Sequence, residues 1–387
     1  MYSRIPLSFM WKMTSTPDVL YRAIRDLARR KFFTRFDRDF DGSKAKLRQI
    51  SMKITNACNL RCKMCGQWGE SGYNFGKPTE VIRETVPLDV YRRMVDDVAR
   101  IKPFIYIWGG EPFLYKDLMP LVGYMKEKDF NVAVVTNATR LEEHAEEIVD
   151  TGWDALMLSV DGPPAIHDEI RGMPGCFEAL AGSIERLKTV RADRKKRKPY
   201  IMILSTVSRD NAHVLDKIFD VAEELGADCV IVYYSWFTTE EIGQRHCEIM
   251  QRVLGCEPKA WKGYLIPVGG IDVAAVQESV RRIRGKRYSF PYLFLPELKI
   301  EEIPRYYVEP QNFFGYDKCV APWLVAEVMP NGDVATCRDY PDYVAGNIKE
   351  ESILEIFHGE PYWRFRNALR EHGMFPICAR CCGLMGF

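Results

Sequence analysis

The chain has 387 residues, 47% hydrophobic and 28% charged, with 54 basic against 53 acidic side chains. That length predicts two or three domains, and the balanced charge argues against general nucleic-acid binding. No stretch reaches the roughly 18 apolar residues of a membrane-crossing helix, and the N-terminus lacks the small-residue cleavage site of a secretory signal.

Residues 1–46 are basic and aromatic. Within 18–36, Leu20, Ile24, Leu27 and Phe32 fall near helical spacing, with Arg22, Arg25, Arg29, Arg30 and Lys31 between them. Two readings stand: a helix packed on the next domain, or a surface helix in peripheral contact with an anionic membrane. From residue 47 short apolar runs alternate with helical patterns. The runs at 50–54, 104–108, 131–137, 155–160, 200–207 and 229–234 read as strands. Helices are predicted from Pro87 onward and over 117–128, 142–150, 176–190 and 211–225. Six strands alternating with helices imply a parallel α/β sheet, either doubly wound or an incomplete barrel. Residues 236–318 break this rhythm as a helical and aromatic insertion or linker, with helices over 239–254 and 271–284. The basic run 191–198 lies between a helix and a strand and reads as a solvated loop.

Cysteine is concentrated in two places. Cys58, Cys62 and Cys65 follow the first strand, at the carboxyl-end face where active-site loops of parallel α/β folds collect. A closed cysteine site wants about four ligands, so three leave one metal open to an exogenous group. Residues 319–387 hold five of the twelve cysteines. Asn331-Gly332 between apolar runs predicts a hairpin, and Cys378 with Cys381 forms C-x2-C, a spacing suited to an iron–sulfur cluster or to zinc. Clusters spaced in this way read as metal sites and place the protein in a reducing, cytoplasmic compartment. Cys176, Cys229, Cys247 and Cys256 lack such spacing, and Cys229 reads as core.

The C-x3-C-x2-C at Cys58, Cys62 and Cys65 resembles the signature of the radical S-adenosylmethionine (radical SAM) superfamily. "WGGEP" at 108–112, "TNA" at 136–138, "LSVDG" at 158–162 and "IHDEIRG" at 166–172 extend the match across successive strand ends. The resemblance implies a partial (β/α)6 barrel over 47–235 and a [4Fe-4S] cluster whose fourth iron is chelated by SAM. It places Met64 near the adenine, Gly109, Gly110 and Glu111 at the SAM ammonium, and Asn137, Ser159 and Asp161 near the ribose or methionine moiety. By the same resemblance Arg171 is expected to pair with the SAM carboxylate. Residues 319–387 resemble the SPASM/twitch extensions of these enzymes through C-x2-P at Cys319, G-x4-C at Gly332 to Cys337, and the stretch 346–357. This implies a small hairpin-containing domain with one auxiliary [4Fe-4S] cluster on Cys319, Cys337, Cys378 and Cys381, with Cys382 the alternative to Cys381.

The activity implied is radical: an external one-electron reductant of flavodoxin or ferredoxin type reduces the open cluster, and a 5′-deoxyadenosyl radical takes hydrogen from an unactivated C–H bond. Oxidation or bond formation follows with help from the auxiliary cluster. The expected substrate is an apolar small molecule, lipid or cofactor precursor. A peptide or protein substrate is the alternative, weakened because 46 residues before the barrel are few for a leader-binding domain. A non-catalytic metal-binding or electron-transfer protein is the reading from another class. No acid–base residue stands out as catalytic.

Overall fold

The computed structural model describes residues 45–69 and 72–381. The amphipathic segment 18–36, with its expected membrane contact, lies outside the described residues, as does Cys382. Ten strands among the described residues form one sheet: β1 (Gln49–Lys53), β2 (Phe104–Trp108), β3 (Val132–Thr136), β4 (Ala155–Ser159), β5 (Tyr200–Thr206), β6 (Cys229–Tyr233), β7 (Tyr292–Leu295), β8 (Val325–Val328), β9 (Asp333–Ala335) and β10 (Val344–Asn347). Their order is β10-β9-β8-β1-β2-β3-β4-β5-β6-β7. Each strand from β1 to β7 pairs parallel with the next. The fold is thus a partial α/β barrel followed by a small C-terminal unit built on antiparallel strands.

The six expected strands are present, and two more join them in parallel. β7 lies inside 236–318, beyond the helices Glu240–Leu254 and Val273–Gly285. β8 pairs parallel with the far side of β1, Gln49 opposite Val325 and Ser51 opposite Glu327. β8, β9 and β10 then run antiparallel. The predicted turn is there: Gly332 has φ +91 and its N–H donates to Met329 O at 2.9 Å, a backbone conformation that suits glycine.

Alternation within the strands builds two apolar layers, as expected where helices cover one face and a lumen the other. Ile50, Met52, Ile105, Ile107, Val132 and Val134 point to the helix side and are fully buried. Removing each such side chain from water contributes roughly 1.5–3 kcal/mol. The opposite layer holds Leu204, Cys229, Ile231 and Leu295, with Val135, Met157 and Tyr233 against them, so Cys229 is a core residue. On β1 and β2 the inner positions are instead Ser51, Lys53, Tyr106 and Trp108, paired in register. The barrel lumen is apolar on one side and polar on the other. Helix ends follow local chemistry: Leu215–Leu225 stops at Gly226, φ +68, whose N–H closes onto Ala222 O and Glu223 O.

Candidate active site

The loop after β1 is strapped to the end of β2. Ile54 N–H donates to Trp108 O at 2.9 Å, Gly110 N–H to Thr55 O at 2.8 Å and Glu111 N–H to Ala57 O at 2.8 Å. The approach admits no side chain: a Cβ on Gly110 would stand 2.0 Å from Ala57 O, and Gly109, at φ +155, would place one 2.6 Å from Thr55 O. Cys58, Cys62 and Cys65 follow on this loop, held by Lys63 N–H on Ile170 O at 3.0 Å and Cys65 N–H on Cys62 O at 3.1 Å. Burial pushes the Cys58 thiol up to about 12. Burial also raises Cys62, while Arg171, whose Nη1 lies 3.6 Å from its sulfur, pulls the other way. Buried thiols that resist ionisation become thiolates when bound to iron, so the donor set fits a cluster.

These cysteines open onto one cavity of about 330 Å³. Met64, Gly109, Gly110, Asn137, Ser159, Asp161 and Arg171 line it as well, so the structure gathers in one place residues as far apart in the chain as Cys58 and Arg171. Arg171 is paired with Asp161, a carboxylate with 1% side-chain exposure, and Asp161 also accepts from Thr206 N–H at 3.2 Å. Glu111 stands apart. It is buried off the cavity wall and accepts from the Thr136 hydroxyl at 2.7 Å, Asn137 N–H at 2.8 Å and Phe113 N–H at 3.1 Å. Its carboxylate therefore ties the end of β2 to the end of β3. Glu111→Ala leaves three buried donors unmet at roughly 1–3 kcal/mol each. It should cost about 3 kcal/mol or more in chemical denaturation, with Glu111→Gln, which keeps an acceptor oxygen, losing less.

The C-terminal cysteines form a second group. Cys319 precedes the short turn Ala321–Trp323, Cys337 follows β9, and Cys378 and Cys381 sit in and after the turn Pro376–Arg380. They pack into the main core, and Cys378 feels the charges of Cys319 and Cys337. Burial raises the Cys319 thiol to about 12 and Cys378 well above the usual thiol range. Four thiols drawn from three separate segments, Cys381 buried and the other three half-buried, suit a fully ligated cluster. Arg338 and Asp339, beside Cys337, reach the cavity wall and so connect the two cysteine groups.

Several residues of the site were not singled out by the sequence. Gln67 Nε2 donates to Gly109 O at 2.9 Å. Tyr73, Tyr106, Trp108 and Tyr264 form aromatic wall, and Arg338 stacks over Tyr106 at 4.7 Å. Lys53 lies behind Tyr73, its Nζ 2.9 Å from the hydroxyl. One signal was available: a lysine in a strand buried on both faces.

A family profile of the radical SAM superfamily matches residues 52–218, and one of the SPASM iron–sulfur cluster-binding domain matches 319–382. The chain belongs to the radical SAM superfamily and carries a SPASM domain; it is an enzyme whose cofactors are SAM, a SAM-binding iron–sulfur cluster and an auxiliary cluster. Among its relatives, an AdoMet-dependent heme synthase of Methanosarcina barkeri is 34% identical over 193 residues, 49% of this chain and 50% of that one. The match thus spans half of that relative. A PqqA peptide cyclase of Rhodopseudomonas palustris is 28% identical over 353 residues, 86% of this chain and 78% of that one. In fold the chain is similar to Streptococcus suis SuiB bound to precursor peptide SuiA, with TM-score 0.59 and 15% identity over 95% of this chain and 75% of that one. Among the described residues no helix is long and apolar enough to cross a membrane.

Proposed function

We propose that the cavity is where a C–H bond of an apolar small molecule, lipid or cofactor precursor is broken, with oxidation or bond formation as the net outcome. The observation that carries this reading is one cavity of about 330 Å³ bounded by the cluster loop, the strand-end residues and an aromatic wall. In this proposal Cys58, Cys62 and Cys65 hold the SAM-binding cluster. Met64, Gly109, Gly110, Asn137, Ser159, Asp161 and Arg171 position SAM. Cys319, Cys337, Cys378 and Cys381 hold the auxiliary cluster. When bound, SAM and its cluster supply the hydrogen-abstracting chemistry. The chain's own part is to hold substrate against Trp108, Tyr233, Trp236 and Tyr264 and to exclude water there.

Zinc is the competing occupant of the C-terminal cysteines. The match of residues 319–382 to an iron–sulfur cluster-binding domain supports the iron–sulfur reading over zinc. Electrons reach the site from an external one-electron reductant of flavodoxin or ferredoxin type. The test is anaerobic incubation with dithionite and SAM, followed by deuterium transfer into 5′-deoxyadenosine from labelled candidate substrates. No 5′-deoxyadenosine would refute the catalytic reading.

Cys337→Ala removes one auxiliary ligand while leaving the cluster loop untouched. Expected is loss of product, at least about a hundredfold, while SAM cleavage continues; unchanged product would show that the auxiliary site plays no part. A peptide substrate is the second reading, favoured by the match to the PqqA peptide cyclase along 86% of this chain. Label transfer from a peptide rather than a small molecule would establish it.

A further inference from the structure

Among the cations near the cluster loop, Arg61, Lys63 and Arg171 each have a clear partner. Arg61 is exposed and stacked on Trp68 at 4.0 Å. Lys63 pairs with Glu169 and Asp210. Arg171 pairs with buried Asp161. Lys53 differs from all of them. It is 1% exposed, and no carboxylate among the described residues pairs with it within 4.0 Å. Its Nζ donates to the Tyr73 hydroxyl at 2.9 Å and lies 4.7 Å from the Tyr73 ring and 5.9 Å from the Trp108 ring.

A buried ammonium without a counter-ion is expensive to maintain, so what stands opposite it matters. Tyr73 and Trp108 line the same cavity as Cys65. The charged groups facing Lys53 are Lys77, from the segment after the loop, and Cys65, on the loop itself. Burial and then Lys77 push its pKa down to about 7, and the nearby Cys65 opposes them. Negative charge on the cluster loop is the counter-ion that this lysine otherwise lacks, and in a dry interior that attraction is weakly screened.

We infer that Lys53 tunes the cluster held by Cys58, Cys62 and Cys65: its ammonium stabilises the reduced state, which carries one more negative charge, and so raises that cluster's reduction potential. The inference rests on the cysteine assignment proposed above. The step it governs is electron transfer alone. One electron leaves the external reductant, which is oxidised, and enters the cluster, with no bond made or broken. Lys53 acts by its field and touches neither SAM nor substrate, so it is a positioning charge rather than a catalytic residue. Tyr73 keeps that charge in place.

The experiment is a redox titration of the reconstituted full-length chain followed by electron paramagnetic resonance. The SAM-binding cluster is identified as the signal that changes when SAM is added. Lys53→Met should lower the potential of that signal, with at least a tenfold shift in its reduction equilibrium, which is 59 mV for one electron. Lys53→Arg, which keeps the charge, should stay near the wild-type value. Tyr73→Phe should shift the potential the same way by less, and it serves as the second variant if Lys53→Met does not fold. The auxiliary signal should stay in place throughout. Equal potentials in wild type and Lys53→Met would overturn the inference while leaving the cysteine assignment standing. So would a shift shared by both signals, or Lys53→Arg moving as far as Lys53→Met. A wild-type chain with no SAM-responsive signal would overturn both.

Discussion

Cys62→Ala is expected to abolish 5′-deoxyadenosine formation, a fall of at least about a thousandfold or roughly 4 kcal/mol of barrier. Cys62 is the most buried of the three loop cysteines, at 8% exposure, and Arg171 approaches its sulfur to 3.6 Å. On the proposed assignment the variant keeps two loop ligands, too few for a three-point grip with a corner open to SAM. Iron and sulfide content, visible absorption and chromatography of 5′-deoxyadenosine would all report this. The matching control is Cys176→Ala. Cys176 packs in the same small cluster as Cys62 and Leu60 and is fully buried, so its loss removes comparable packing without touching the proposed ligands. Cys176→Ala should retain iron and activity. If Cys62→Ala did the same, the loop would not be the cluster site.

The second large effect is expected at Gly110, where no functional side chain is removed. Gly110→Ala places a Cβ 2.0 Å from Ala57 O, 2.5 Å from Ala57 C and 2.7 Å from Asn56 O. All three are backbone atoms and cannot rotate away. Relief requires parting the strap that Gly110 N–H and Glu111 N–H make with Thr55 and Ala57. Overpacking of this kind costs roughly 1–3 kcal/mol and each lost bond about 1 kcal/mol more, so a loss of about 3 kcal/mol or more is expected in denaturant melts. SAM binding should weaken with it, because the strap sets the loop against the end of β2. Gly123→Ala is the contrast. Gly123 lies within the helix Leu118–Glu127 with nothing near its Cβ position, and alanine there should stabilise by roughly 0.5–1 kcal/mol. Equal effects at the two glycines would show that the close approach has no energetic weight.

Two acidic residues that follow strands of this sheet sit in different surroundings. Glu111 was a reasonable acceptor for the SAM ammonium on sequence grounds. In the fold its three donors, from Thr136, Asn137 and Phe113, turn it into a tie between strands. Asp161 faces the cavity and is matched to Arg171. Both are carboxylates at strand ends, and only the direction of each side chain separates them.

What the chain's own order determined is what depends on near neighbours. Period-two runs such as 104–108 became strands with those bounds, Gly226 ended its helix, and Asn331-Gly332 made its turn. The cysteine spacing and the strand-end motifs identified the enzyme class, because each motif is a short run of neighbouring residues. What only tertiary structure decided involves partners far apart. β8 pairs with β1 across 276 positions, and that pairing carries Arg338 and Asp339, next in sequence to Cys337, to the wall of the cavity. β7 is a four-residue strand flanked by prolines, too short for its alternation to be read until β6 offered an edge. Lys53 and Tyr73 are an ordinary strand lysine and an ordinary loop tyrosine until folding sets them 2.9 Å apart. Side-chain period reports which face a residue takes, but what lies opposite that face is set by burial summed over the whole core.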